Sequence, residues 1–329
     1  MRKIDLKNRF TKLFKSAWLF IVIFCCNYSI AQTPQNNFKV IPLGVYGGLD
    51  ESNLSSYMIA PANSNDYVCL DAGTLHDGIA KSIQQKSLTG SVSYVLKNNI
   101  KGYLISHPHL DHVAGLVINS PDDSSKNIYA LPFCINTLEE KYFTWESWAN
   151  FADEGEKPQL KKYHYVDLST DSETVLSNTK MFVRPFELSH SNPSKSTAFL
   201  VRRDSAYILY LGDTGADSVE RSNKLNELWT YITPLIKKAQ LKAIFIEVSF
   251  PDEQATSTLF GHLKPVLFFN EMQQLSKLCG ASNLKKIPFI ITHIKPSGNN
   301  AEMIKKELNQ QNKMQLTLIF PQQGKTLKF

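Results

Sequence analysis

The chain is short of cysteine, short of long apolar runs and, once its start is set aside, short of net charge. Five cysteines occur in 329 residues, and Cys25 and Cys26 fall in an apolar stretch near the start. The other three, Cys69, Cys134 and Cys279, do not sit at metal-ligand spacing, which excludes a zinc ribbon or a dense disulfide scaffold. Cys69 and Cys134 lie in apolar runs and read as buried. One disulfide is open to an oxidising compartment, and the sequence does not pair it.

The most apolar segment, Ala17–Cys26, has ten residues, well short of the ~20 that cross a bilayer. It follows six basic residues and one acidic one, and small residues at Ser29 and Ala31 come after it. That order reads as a secretory signal peptide over 1–31, with no stable membrane anchor after cleavage. Cleavage takes the net charge from +6 to +1, because six of the lost residues are basic and one is acidic. A near-neutral mature chain offers no electrostatic case for nucleic acid or a membrane surface. Export in a bacterium would mean the periplasm or the outside. No short-period repeat and no low-complexity linker appear, so 32–329 reads as one domain. With 43% apolar and 20% charged residues, it can bury a substantial core.

The chemistry concentrates in Ser106-His107-Pro108-His109-Leu110-Asp111-His112, directly after the apolar Tyr103-Leu104-Ile105. A strand that stops in a tight turn can splay alternate side chains toward two neighbouring points. His107 and His109 would face one metal; Asp111 and His112 would face a second. Imidazole and carboxylate suit zinc and similar divalent ions. His190, Asp213 and His293 lie downstream, each where a β-rich run gives way to a loop, as α/β folds place functional residues. Five of the eight histidines fall in this set. His76 and His164 match no motif and read as surface residues.

Strand-like runs at 39–43, 57–60, 67–70 and 102–105 come first, with helices at 77–86 and 113–119. The second half repeats the theme with strands at 180–186, 196–202 and 206–211. An amphipathic helix follows over 223–239, then a strand at 243–248 and a helix over 265–278. A strand at 287–292, a helix at 301–310 and a last strand at 315–320 complete the pattern. Two β-rich halves, each flanked by helices, fit an α/β class with a four-layer αβ/βα sandwich. Residues 137–165 interrupt the rhythm with Tyr142, Phe143, Trp145, Trp148, Phe151, Tyr163 and Tyr165. They suit either an aromatic lid over a nucleobase or an insertion packed on the core or on a homodimer partner.

The pattern His-x-His-x-Asp-His, then His, Asp and His, resembles the metallo-β-lactamase superfamily. The continuation Val113-Ala114-Gly115-Leu116-Val117-Ile118-Asn119-Ser120-Pro121 resembles one branch, the class II cyclic-nucleotide phosphodiesterases. Leu70-Asp71-Ala72-Gly73-Thr74, Phe260-Gly261-His262-Leu263-Lys264-Pro265 and Thr292-His293-Ile294-Lys295-Pro296 look like further motifs of that branch. The resemblance implies the metallo-β-lactamase type of sandwich and two divalent metals, zinc by expectation. His107, His109 and His190 would hold one metal; Asp111, His112 and His293 would hold the other; Asp213 would bridge. It also implies a small-molecule substrate, cyclic AMP with cyclic GMP beside it, attacked by metal-generated hydroxide to give a 5′-monophosphate.

Beside the ligand Asp111, the reaction set would include His262 as acid and Glu247 as its orienting partner. Ile246-Glu247-Val248-Ser249-Phe250 is similar to a motif of the related tRNA-processing phosphodiesterases. His262 otherwise reads as a structural helix-capping residue and Glu247 as an ordinary strand-end carboxylate. Asp71 reads as shaping the metal loop through hydrogen bonds. Asn53, Ser55 and Ser56 read as pocket residues or as turn residues. A lactonase or β-lactamase-like hydrolase, and a non-enzymatic binding protein on the same fold, are the competing readings.

Overall fold

The computed structural model describes residues 37–329, so the signal-peptide reading of 1–31 lies outside the described residues. Six strands open the first sheet: Phe38–Gly44 (β1), Ser56–Pro61 (β2), Tyr67–Leu70 (β3), Ile100–Leu104 (β4), Lys126–Ala130 (β5) and Tyr163–Asp167 (β6). Seven build the second: Thr174–Leu176 (β7), Met181–Ser189 (β8), Lys195–Arg203 (β9), Ala206–Leu211 (β10), Leu241–Glu247 (β11), Pro288–Thr292 (β12) and Thr317–Ile319 (β13). The chain then returns to pair Leu327–Lys328 (β14) antiparallel to β1 at the edge of the first sheet.

Both sheets follow one plan. Antiparallel strands come first, β1 to β3 and β7 to β10, and parallel strands follow, β3 to β6 and β10 to β13. Parallel pairs need crossovers, and helices supply them. Those strands are covered on both faces, so they read as continuous apolar runs rather than alternating ones.

Period-2 alternation sorts each strand between two cores. Val40, Tyr57, Ile59, Val68 and Leu70 point inward to meet Phe199, Val201, Ile208 and Phe245 of the other sheet. Ile41, Met58, Cys69 and Tyr103 point outward onto Ile79, Val113, Leu116 and Cys134, which the helices of the first layer supply. On the far side Leu200, Leu209, Ile244 and Ile291 meet Leu225, Leu228, Trp229, Ile232, Phe268 and Ile304. Helix, sheet, sheet and helix therefore stack as four layers. The helix read at 223–239 spans Lys224–Lys237 and buries Leu225, Leu228, Trp229, Ile232 and Ile236 on one face. No helix among the described residues is long and apolar enough to cross a membrane. Cys69, Cys134 and Cys279 are buried free thiols.

In the segment 137–165 the aromatic rings mostly pack as a core-covering insertion, and one strand went unread. Tyr163 and Tyr165 belong to β6, a strand the patterning overlooked, and both are buried beside Phe143. Tyr142, Trp148 and Phe151 pack partly buried against the same core, and Trp145 is exposed. The Tyr142 hydroxyl donates to the Pro108 carbonyl, inside the His107–His112 loop, at 2.7 Å. Most of the aromatic segment thus packs on the first layer, because its rings cover apolar area that the short strands leave open.

One buried carboxylate ties the parallel strands of the first sheet together. Asp123 binds Lys126 Nζ of β5 at 2.6 Å and accepts from the hydroxyls of Tyr103 in β4 (2.6 Å) and Tyr163 in β6 (2.9 Å). Removing one partner of such a pair strands a buried charge, which costs about 3–5 kcal/mol. Asp123→Ala should lower the urea midpoint accordingly, with Lys126 left unpaired. The double variant Asp123→Ala/Lys126→Met should recover part of the loss in the same urea titration.

Candidate metal centre and active site

Strand ends bring the site together. β4 runs into the loop that carries His107 and His109. The helix Leu110–Asn119 begins inside the motif, so Asp111 and His112 sit on its first turn rather than in an extended turn. His190 follows β8, Asp213 stands two residues beyond β10, Glu247 ends β11 and His293 follows β12. His293 and Asp71 both have left-handed backbone, φ 57° and 55°, an uncommon state for residues with a Cβ and one concentrated at functional sites. The His293 ring also needs Gly47, since a Cβ there would stand 2.3 Å from it.

The seven sequence-predicted ligands converge as two sets. His107, His109, His190 and Asp213 form one; Asp111, His112, His293 and Asp213 form the other. In the first set His107 Nε2 and His109 Nδ1 stand 3.0 Å apart, and His190 Nε2 lies 3.3 Å from His109 Nδ1. In the second set His293 Nε2 lies 3.1 Å from both Asp111 Oδ2 and His112 Nε2. Asp213 Oδ2 reaches both sets, at 3.6 Å from His107 Nε2, 3.3 Å from His112 Nε2 and 3.2 Å from His293 Nε2.

The outer nitrogens of four imidazoles are already engaged, which turns the remaining nitrogen inward. His112 Nδ1 donates to Asp71 Oδ2 at 2.8 Å. His190 Nδ1 donates to the Gly261 carbonyl at 2.9 Å. The hydroxyls of Ser106 and Ser249 face His107 Nδ1 and His293 Nδ1, each at 3.0 Å. Asp71 also accepts from the Ser106 amide (2.7 Å) and hydroxyl (2.8 Å) and from the Tyr210 hydroxyl (2.6 Å). Inward-facing nitrogen and oxygen donors with their outer atoms satisfied are what a divalent metal pair requires, so the residues fit the expected ions.

Electrostatics favour the neutral, metal-binding form at three imidazoles and the charged form at His112. Burial pushes His107, His109 and His190 below the ordinary imidazole value, toward the neutral form that binds metal. Burial also opposes charge on His112, but Asp213, Asp71 and Asp111 outweigh it and carry it upward. Burial would raise Asp213, yet His293, His112 and His262 hold it well below the usual carboxylate range.

Beside the second set lies a third group, Glu247 with His262. Glu247 Oε1 accepts from His262 Nδ1 at 2.8 Å and from the Thr214 amide at 2.9 Å. Glu247 Oε2 accepts from the Ser249 hydroxyl and the Leu263 amide. The His262 ring stacks on His293 with centroids 5.1 Å apart. Burial disfavours its charge, but Glu247 and Asp213 raise its pKa.

Sequence reading did not single out Ser106, Ser249, Thr214 or Tyr210. Ser249 stands two residues after Glu247 at a strand end, and that spacing is the one signal available. Tyr210 looked like any strand aromatic. Asn53 accepts from the Val45 amide within its turn. Ser55 and Ser56 are buried against Tyr210 and the Asp71 carbonyl, so these three residues build scaffold. His76 and His164 are exposed, beside Asp77 and Asp153.

Comparison with known proteins agrees on one relationship. The family model described as cAMP phosphodiesterases class-II matches residues 36–324. A 3′,5′-cyclic-nucleotide phosphodiesterase of Aliivibrio fischeri is 40% identical over 324 residues, covering 94% of this chain and 98% of its own. A cAMP/cGMP-dependent 3′,5′-cAMP/cGMP phosphodiesterase A of Dictyostelium discoideum is 29% identical, covering 88% of this chain and 80% of its own. Among solved structures, unliganded yeast PDE1 superposes with a TM-score of 0.78 at 24% identity, over 90% of this chain and all of that one. The metallo-β-lactamase fold protein YhfI of Bacillus subtilis gives 0.60 at 16% identity, over 90% of this chain and all of its own.

Asp71→Asn should leave the fold in place and loosen His112, because the amide cannot hold both Ser106 and the imidazole as the carboxylate does. Loss of such an outer partner costs about 10–100-fold in metal affinity. Zinc titration against a competing chelator checks it. Unchanged affinity would deny Asp71 this role.

Proposed function

The chain belongs to the class-II cAMP phosphodiesterases and is a 3′,5′-cyclic-nucleotide phosphodiesterase, and from that premise we propose which of its residues carry the hydrolysis. His107, His109 and His190 would hold one divalent ion; Asp111, His112 and His293 would hold the second; Asp213 would serve both. We read both as zinc, which suits five imidazoles and two carboxylates. The observation that carries the proposal is the Asp213 carboxylate, whose Oδ2 reaches imidazoles of both sets. When bound, a metal pair supplies a hydroxide nucleophile near neutral pH and offsets the charge of the phosphodiester.

The chain's own residues supply the rest. His262 Nδ1 is committed to Glu247, which leaves Nε2 to protonate the departing 3′-oxygen. Glu247 is a positioning residue: it holds the ring's tautomer and favours the charged, acid-competent form. Oxygen from water joins phosphorus, the bond from phosphorus to the 3′-oxygen breaks, and that oxygen leaves as a hydroxyl. The product is a nucleoside 5′-monophosphate. Cyclic AMP is the proposed substrate, with cyclic GMP as a second. The Dictyostelium relative named above bears both nucleotides in its name. The leader read at 1–31 supports export to the periplasm, checked by the amino-terminal sequence of the protein in a periplasmic fraction.

Purified residues 32–329 should release 5′-monophosphate from cyclic AMP and cyclic GMP, and a chelator should abolish it. Asp213→Ala should abolish turnover with the fold retained by circular dichroism; full activity would sink the bridging assignment. His262→Ala should slow hydrolysis by roughly 10²–10⁴-fold with metal content unchanged. Loss of zinc in that variant would recast His262 as a ligand or a structural residue.

A further inference from the structure

Lys295 lies within the Thr292–Pro296 motif and takes no part in either ligand set. It stands two residues after His293, and its backbone is held from two sides. The Lys295 amide donates to the Ser249 carbonyl at 3.1 Å. The preceding residue, Ile294, bridges Tyr46, and its carbonyl accepts from the Gly47 amide at 3.1 Å. Both anchoring segments also seat the metal ligands. Ser249 faces His293 Nδ1, and Gly47 packs against the His293 ring.

The side chain, by contrast, has no hydrogen-bond or ion-pair partner among the described residues. Its ammonium lies 6.0 Å from the Phe250 ring centroid, at the outer limit of a cation–π contact. The Phe250 ring in turn meets the His262 ring at 5.8 Å. On the other flank, a Cβ built on Gly48 would lie 3.9 Å from Lys295 Nζ and 3.9 Å from Asp111 Oδ2. Gly48 is glycine with φ +62°, so no side chain stands in that space. A half-buried ammonium thus stands at the edge of the second ligand set, on the side of the proton donor. Asp111, whose Oδ2 borders the same space, is turned to His293.

We propose that Lys295 contacts a non-bridging oxygen of the cyclic phosphate and offsets the charge that grows there as the phosphorus is attacked. This rests on the phosphodiesterase reading above and adds a residue to it. An ammonium is a compact point charge on a flexible stem, suited to one phosphoryl oxygen rather than to a bidentate clamp. A charge placed where negative charge develops contributes more in the transition state than in the ground state. Lys295 is then a substrate-contacting residue with a preferred face of the phosphate.

The test compares wild type with Lys295→Met and Lys295→Arg on cyclic AMP and on the two phosphorothioate diastereomers of cyclic AMP, in which sulfur replaces one or the other non-bridging oxygen. Lys295→Met should lose about 10–100-fold in kcat/KM on cyclic AMP, at unchanged zinc content and Tm, with Lys295→Arg recovering part of it. The variant should also change the ratio of rates on the two diastereomers, because only one of them presents oxygen to the ammonium. A residue that merely shapes the fold would slow both diastereomers equally, and that outcome overturns the proposal. So does full activity in Lys295→Met. Absence of cyclic AMP turnover in the wild type would instead remove the reading on which the proposal rests.

Discussion

The structure is organised around a cost: two carboxylates and five imidazoles stand with their polar atoms 3–4 Å apart, mostly out of water. Such a cluster is expensive to assemble, since buried polar and charged groups lose hydration. The chain meets that cost with rigid strand ends and with a further layer of hydrogen bonds. Asp71 alone accepts from Ser106, His112 and Tyr210, so it fixes the loop after β4, the helix of the motif and a strand of the second sheet at one point.

That shared anchoring explains the four-layer form. One sheet brings His107, His109, Asp111 and His112; the other brings His190, Asp213, Glu247 and His293. Neither half holds a complete set. The apolar inner faces must therefore pack in one register for Asp213 to meet both. Tyr210 shows how packing and chemistry are joined. Its ring lies in the inter-sheet core against Tyr57 and Phe245, and its hydroxyl reaches Asp71. Asp123 does a comparable job in the first sheet, holding β4, β5 and β6 together.

The Glu247–His262 pair sits apart from the ligand sets and yet touches them. Ser249 links Glu247 to His293, and the amide of Thr214, the residue after Asp213, donates to Glu247. In the proposed mechanism the proton donor is thus positioned by the same atoms that position the proposed ligands. Its geometry then follows the metal site rather than drifting from it.

The sequence by itself determined the elements with strong period and the residues with strong chemistry. The ligand spacing, the run of apolar strands and the amphipathic helix at Lys224–Lys237 were legible because each is local: a motif, a period of two, a period of 3.6. The tertiary structure decided what depends on distant pairing. β6 and β14 are short or mixed in polarity, and they exist because β5 and β1 offer them open edges. The start of the helix inside the metal motif was also hidden, since Asp111 and His112 read equally well in a turn. Ser106, Tyr210, Ser249 and Thr214 carry no pattern of their own. Their part in the site comes only from which strand ends the two sheets bring face to face.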